Sequence, residues 1–201
     1  MKIATWNVER LKHYSELNLI EKICNELDAD IFVLTETDNR INVDNLECYQ
    51  TGELPQNYEI EPGKIISYKS SERRVSIYTR FPIVRYFDTY DDKTSAAVEV
   101  ETLVGNVVIY GTIIGILGNR DANFERELKC TCDDILRISE NAPMIICGDF
   151  NCSFSDGYYF TKYGRDTMLD LFDNCNMTIV TAGCSECIDH IVVSNVIVKD
   201  K

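Results

Sequence analysis

The residues whose types and spacing best suit chemistry are Asp149 and Asn151, in the stretch Ala142-Pro143-Met144-Ile145-Ile146-Cys147-Gly148-Asp149-Phe150-Asn151-Cys152. Two positions apart in extended backbone, their side chains point the same way. An ionised acceptor beside a neutral amide donor suits phosphoryl or phosphodiester hydrolysis. The carboxylate orients or deprotonates a water, and the amide bonds the charge that develops on phosphate oxygens. Taken alone, the segment reads equally as a polar turn after a core strand, because short motifs recur by chance. Asn7 and Glu36 add two more polar groups. With Asp149 they make a plausible oxygen-donor set for a hard divalent cation, which takes one or two carboxylates and keeps waters.

The elements that must position these groups are legible from periodicity. Met144 to Cys147 is an apolar run of the kind found in strands buried on both faces, and Gly148 lets the chain turn where it ends. Lys2 to Val8 reads as a first strand with Asn7 near its carboxyl end. Leu17, Ile20, Ile23, Cys24 and Leu27 recur at spacings of three and four, so Tyr14 to Leu27 is predicted as an amphipathic helix. Ala29 to Glu36 reads as a second buried strand ending on a carboxylate. Strand, helix, strand of this length is a βαβ-like unit, and it leaves Asn7 and Glu36 at comparable strand ends. A second such unit is predicted from the strand Val107 to Ile114, the helix Asn123 to Ile138 and the Met144 strand.

Residues 37–57 are polar and read as an exposed excursion. Short β-like runs follow at Lys64 to Lys69, Val75 to Arg80, Ile83 to Asp88 and Ala96 to Leu103. Two short elements are expected around Tyr158 to Tyr163 and Thr167 to Phe172, and final strands at Met177 to Thr181 and Cys187 to Ser194. No linker composition appears, so residues 1–201 are expected to form a single domain.

Lys69, Arg73, Arg74 and Arg80 form the densest basic patch, read either as charge guarding an edge strand or as a rim for substrate phosphates. Arg73, Arg74, Arg120 and Arg126 are the candidate substrate contacts. The formal charge of −13, from 20 basic and 33 acidic residues, argues against broad, non-specific nucleic-acid binding. Nine cysteines without a recognisable leader favour a reducing compartment. No apolar run reaches the length of a membrane span. The expectation is therefore a cytoplasmic monomer. Cys184-x-x-Cys187, with Cys175 and His190 nearby, has elements of a zinc cluster, but the oxygen-rich set at Glu36 and Asp149 favours magnesium or manganese.

Five segments occur in order: Thr5-Trp6-Asn7-Val8, Leu34-Thr35-Glu36-Thr37, Val75 to Ile83, Gly148-Asp149-Phe150-Asn151, and Ile188-Asp189-His190-Ile191-Val192-Val193-Ser194. Together they resemble the endonuclease/exonuclease/phosphatase superfamily, the fold of DNase I, exonuclease-III-like enzymes and inositol-polyphosphate 5-phosphatases. The resemblance implies an α/β fold, a four-layer α/β/β/α sandwich of two packed β-sheets flanked by helices. It implies a metal-dependent phosphodiester hydrolase using Mg²⁺ or Mn²⁺, with a nucleic acid or a phosphorylated small molecule or lipid headgroup as substrate. Carried over by residue, Glu36 is the principal metal ligand and Asn7 a neighbour of metal and phosphate. Asp149 positions or deprotonates the attacking water, Asn151 stabilises the transition state, and Asp189 matches the aspartate that orients a catalytic histidine.

Two departures stand out. Ile113 follows Thr112 where the family usually carries a His or Tyr, and no Ser-Asp-His motif follows Val196-Ile197-Val198. Only His13 and His190 are present. His13 reads as a solvated loop residue. His190 adjoins Asp189 on a strand, so the two side chains should face opposite ways, which leaves a catalytic role for His190 uncertain. These departures motivate a further alternative, a catalytically impaired member that serves as a binding protein.

Overall fold

The computed structural model describes residues 1–12, 17–61, 63–103, 105–140 and 142–196. His13, the predicted start of the first helix at residues 14–16, and Ile197 and Val198 lie outside them. The first strand, β1 (Ile3–Asn7), runs parallel to β2 (Ile31–Asp38) across α1 (Leu17–Leu27), the predicted βαβ-like unit. The second unit is also present: β9 (Gly105–Ile113) and β10 (Met144–Asp149) are parallel, joined through α2 (Phe124–Ser139).

The sequence reading needs three corrections. The 37–57 excursion is not simply exposed: Ile41, Val43 and Leu54 are buried. It also contains β3 (Glu47–Gln50) and leads into β4 (Asn57–Glu61), which pairs with β5 (Lys64–Ser67) as a two-stranded ribbon. The two short elements expected near residues 158–172 are one helix, α3 (Lys162–Asn174), whose Thr161 cap accepts a bond from the Gly164 N–H at 3.0 Å. Finally, β6 (Glu72–Thr79) is an interior strand between β2 and β3, so its arginines do not guard an edge.

The remaining strands are β7 (Ile83–Phe87), β8 (Ser95–Thr102), β11 (Met177–Ile179) and β12 (Asp189–Ser194). They form two larger sheets, one ordered β1-β2-β6-β3 and the other β11-β12-β10-β9-β8-β7. Alternation along the strands divides the apolar side chains among three layers of core. Ile31, Val33, Val75 and Ile77 of the first sheet meet Val98, Ile109, Ile145 and Cys147 of the second. The reverse face of the first sheet, with Phe32, Leu34 and Tyr78, packs on Ile20 and Cys24 of α1. The reverse face of the second, with Val108, Tyr110, Ile146 and Val192, packs on Leu128 and Ile135 of α2 and Met168 and Phe172 of α3. The order is helix, sheet, sheet, helices: the four-layer sandwich.

Gly111 marks where the sheets approach most closely. A Cβ there would lie 2.6 Å from Val75 Cγ1 and 3.0 Å from Val33 Cγ1, so no larger residue fits without parting the layers. No helix among the described residues is long and apolar enough to cross a membrane.

Candidate active site

The two sheets bring four predicted residues to one end of the sandwich. Asn7 is the last residue of β1 and pairs with Thr35, which places it beside Glu36 on the neighbouring strand. Asp149 is the last residue of β10, and Asp189, the first of β12, is its register partner. A hydrogen bond closes the gap between the sheets: Asn7 Nδ2 donates to Asp149 Oδ2 at 3.2 Å. The other Asp149 oxygen accepts the Asn151 backbone N–H at 2.8 Å.

The backbone is shaped to hold these groups. Gly148 has φ of 137°, and a Cβ on it would fall 2.0 Å from the Thr112 carbonyl oxygen. Only glycine lets β10 lie against β9 here, which explains the residue before Asp149. Glu36 (φ 47°) and Asn151 (φ 47°) take left-handed conformations unusual for their types. So do Glu9, Arg10 and Leu11 (φ 48°, 54° and 59°), in the tight turn that follows Asn7, whose Oδ1 accepts the Glu9 N–H at 2.9 Å. Strained backbone gathered around one cluster of polar groups is typical of sites that do chemistry.

The electrostatics follow from burial and crowding. Burial, and then the charges of Asp189 and Glu36, push the Asp149 carboxyl up to about 7, against the lowering bonds from Asn151 and Asn7. Burial, Glu36 and Glu9 push Asp189 up to about 6. Asp189 Oδ1 is buried and has no hydrogen-bond partner. An orphaned carboxylate oxygen beside two other acids is the state a cation would relieve.

Asn151 differs from the expectation. Its Nδ2 donates to the Ile114 carbonyl at 3.1 Å and the Gly115 carbonyl at 3.0 Å, which occupies both N–H groups. In this arrangement it is a brace: it ties the end of β10 to the segment after β9 and offers no free donor to a phosphate. Asn119, which the sequence reading missed, continues the brace. Its Nδ2 donates to the Asn151 carbonyl at 2.7 Å, and its buried Oδ1 has no partner. Nothing in the local pattern Gly118-Asn119-Arg120 distinguished it from an ordinary turn.

His190 faces away from Asp189, as the strand alternation required. It is fully buried against Phe150 and Phe154. Its Nε2 lies 2.9 Å from the Cys152 carbonyl and 3.2 Å from the Cys187 carbonyl, so Nε2 carries the proton. Nδ1 then accepts from the Thr181 hydroxyl at 2.9 Å. Burial holds its pKa below the usual histidine value. The ring pins the segment after Asn151 to β12. The cysteines form no zinc centre: Cys187 donates to the Asp189 carbonyl at 2.9 Å, and among the described residues no three His, Cys, Asp or Glu side chains converge as a metal cage.

The basic patch is divided by the fold. Arg80 pairs with Asp28 at 2.5 Å and Asp30 at 3.7 Å, at the opposite end of β6 from Arg73. Arg73 is buried, donating to the carbonyls of Ser70 at 2.7 Å and Glu72 at 2.8 Å, so it is no open rim. Arg74 is buried as well, with Nη1 donating to the Thr94 hydroxyl at 2.9 Å, yet both arginines line a hollow of about 170 Å³ shared with Glu36. Arg120 and Arg126 are exposed. Arg10 and Lys12, absent from the sequence reading, line that same hollow.

The model of the Endonuclease/Exonuclease/phosphatase family matches residues 4–200. The chain belongs to this family. Its members are hydrolases acting on phosphoric ester bonds. Solved structures with the same fold include the endonuclease domain of TRAS1, a telomere-specific non-LTR retrotransposon, at TM-score 0.65 and 11% identity. That alignment covers 96% of this chain and 84% of the other. An endonuclease/exonuclease/phosphatase from Beutenbergia cavernae DSM 12333 also aligns, at TM-score 0.65 and 14% identity, over 96% of this chain and 64% of that one. No curated protein matches the sequence.

Proposed function

We propose that this chain is a divalent-cation-dependent phosphodiesterase that hydrolyses nucleic acid. The observation that carries the reading is the convergence of Asn7, Glu36, Asp149 and Asp189 at adjoining strand ends of both sheets, joined by the Asn7–Asp149 hydrogen bond. Family membership supports hydrolysis of a phosphoric ester.

The donors fit a hard cation. Asp149 and Asp189 are raised by burial and by neighbouring acids, Asp189 Oδ1 lies unpaired, and these groups with Glu36 are all oxygen ligands, as magnesium or manganese prefers. Glu36, half-exposed at the mouth, would hold the ion together with Asn7 and Asp149. The lack of a three-ligand cage among the described residues suits an ion that keeps waters and takes substrate oxygens. When bound, it supplies Lewis-acid polarisation of the phosphoryl oxygen and charge for the leaving group.

The protein groups supply the rest. Asp149, held by two hydrogen bonds, accepts the proton of the attacking water. Asn7 fixes the carboxylate so that its free lone pairs face the substrate side. Asn151 and Asn119 keep β10 and the segment after β9 in register with it. Asp189 adds negative charge behind Asp149 and keeps its proton affinity high.

Labelled DNA and RNA, single- and double-stranded, incubated with Mg²⁺, Mn²⁺ or EDTA test the reading. Cleavage should require the metal and fall by at least about 10³-fold with Asp149→Ala, as expected when a base is removed. Hydrolysis of bis-p-nitrophenyl phosphate with every polymer intact would assign a small phosphodiester instead. An inert protein under all conditions would sink the enzymatic reading.

A further inference from the structure

A second hollow adjoins the one beside Glu36. The first, about 170 Å³, is lined by Arg10, Tyr68, Glu72 and Arg74 among others; the second, about 270 Å³, by Tyr58, Arg74, Asp91, Lys93, Arg126 and Glu127 among others. Arg74 and Ile116 belong to both, so the two make one groove that leads away from Glu36. Its volume is in the range of small-ligand pockets, roughly 300–1,000 Å³.

The groove alternates cations with aromatic faces. The Arg10 guanidinium lies 4.6 Å from the Tyr68 ring centre, and that of Arg74 lies 5.8 Å from the same ring. Arg74 is also 6.0 Å from the ring of Tyr58, which is 37% exposed. The β4–β5 ribbon presents both tyrosines together. Tyr58 pairs with Ile66, and the Tyr68 N–H bonds the Gln56 carbonyl at 2.9 Å, so the rings sit diagonally on one face. Arg10 is paired with Glu72 at 2.9 Å, and Arg74 and Arg126 lie close enough to Glu127 to interact with its charge; among the described residues Arg74, Lys93 and Arg126 form no ion pair within 4 Å, which leaves this stretch of the groove net positive for a ligand.

We infer that this groove binds an unpaired nucleic-acid strand, with phosphates on Arg74, Lys93 and Arg126 and a base on Tyr58. The inference rests on the phosphodiesterase reading for the position of the scissile bond. Two physical arguments select a single strand. A tyrosine face stacks only on a base whose own stacking partner is absent, which a duplex does not offer. A duplex also brings one charge per about 1.7 Å of axis, against a protein of net charge −13 whose cations here are confined to one groove. A single strand halves that charge density and can follow the groove.

Binding can be read without turnover, which separates this inference from the reading it rests on. Fluorescein-labelled DNA and RNA strands, and the corresponding duplexes, are titrated with the Asp149→Asn protein in EDTA and in Mg²⁺ and followed by anisotropy. Single strands should bind at least about tenfold more tightly than duplexes. Tyr58→Ala should weaken them by about tenfold, the scale of one base–aromatic stack. The log–log salt slope should be roughly −2, from about three phosphate contacts at about −0.7 each, and shallower with Arg126→Ala. Both side chains are exposed, so melting temperatures should hold; Tyr163→Ala, an exposed tyrosine on α3, should change nothing. Duplexes binding as well as single strands, or Tyr58→Ala and Arg126→Ala leaving single-strand affinity intact, would overturn the inference. Binding as expected without any cleavage would keep it and fault only the hydrolytic reading.

Discussion

Asp149→Asn should make the cation-free protein more stable at alkaline pH, although it removes the residue proposed to do the chemistry. In the fold its carboxyl sits at about 7 against an ordinary value of 3.8. Between those values the folded protein holds a proton that the unfolded chain has released, so stability falls as pH rises through that window. At about 1.4 kcal/mol per pH unit, the full penalty above pH 7 is roughly 4 kcal/mol. Asparagine removes the charge and keeps the bond from the Asn151 N–H, but it turns an amide toward Asn7 Nδ2, which costs about 1 kcal/mol. The net gain is about 2–3 kcal/mol, or on the order of 5–10 °C in Tm for a chain of this size. Urea and thermal unfolding of both proteins in EDTA, at pH 5 and pH 8, measure it. Taking the difference between the proteins cancels the titration of all other groups. The variant should be within about 1 kcal/mol of the parent at pH 5, where only about 1.6 kcal/mol of the penalty has accrued, and clearly more stable at pH 8. Mg²⁺ should narrow the difference at pH 8 by stabilising the parent. A variant that melts below the parent at pH 8 in EDTA would refute the argument that crowded, buried acids strain this site.

Two further substitutions probe the scaffold. Gly148→Ala drives a Cβ to 2.0 Å from the Thr112 carbonyl in a backbone conformation alanine rarely adopts, and should cost at least about 3 kcal/mol, read by urea unfolding. His190→Ala leaves the Cys152 and Cys187 carbonyls and the Thr181 hydroxyl without their ring partner, and should cost about 3 kcal/mol or more. Because burial lowers the His190 pKa, its contribution is complete above about 6.5 and is lost as pH falls, so the variant should lack part of the parent's loss of stability in acid.

The strand ends were readable because apolar runs and a period of two mark buried strands wherever they occur. Hence Asn7 and Asp149 could be placed at strand termini before any contact was known, whereas β2 runs two residues past the predicted end at Glu36, to Asp38, and β12 begins at Asp189 rather than Cys187. The short, half-polar Glu47–Gln50 was not readable as a strand. It takes that form by pairing with β6, not from its own pattern. The burial of Arg73 was not readable for a related reason. A guanidinium normally marks surface, but here two backbone carbonyls satisfy it inside the fold.

By itself, then, the sequence determined that the first strand and the Met144 strand end on Asn7 and Asp149, which face of α1 and α2 is apolar, and that His190 points away from Asp189. All three follow from local geometry, where one residue's position fixes its neighbour's direction. The tertiary structure decided what those ends do to one another. The closure of the two sheets sets Asn7 against Asp149, and burial with the neighbouring acids raises the proton affinity of Asp149 and Asp189. It engages the Asn151 amide with the Ile114 and Gly115 carbonyls, and it brings Arg10 and Tyr68 beside Glu36. Charge coupling, hydrogen bonding and burial depend on distances between segments far apart in the chain, and only the packed layers fix those distances.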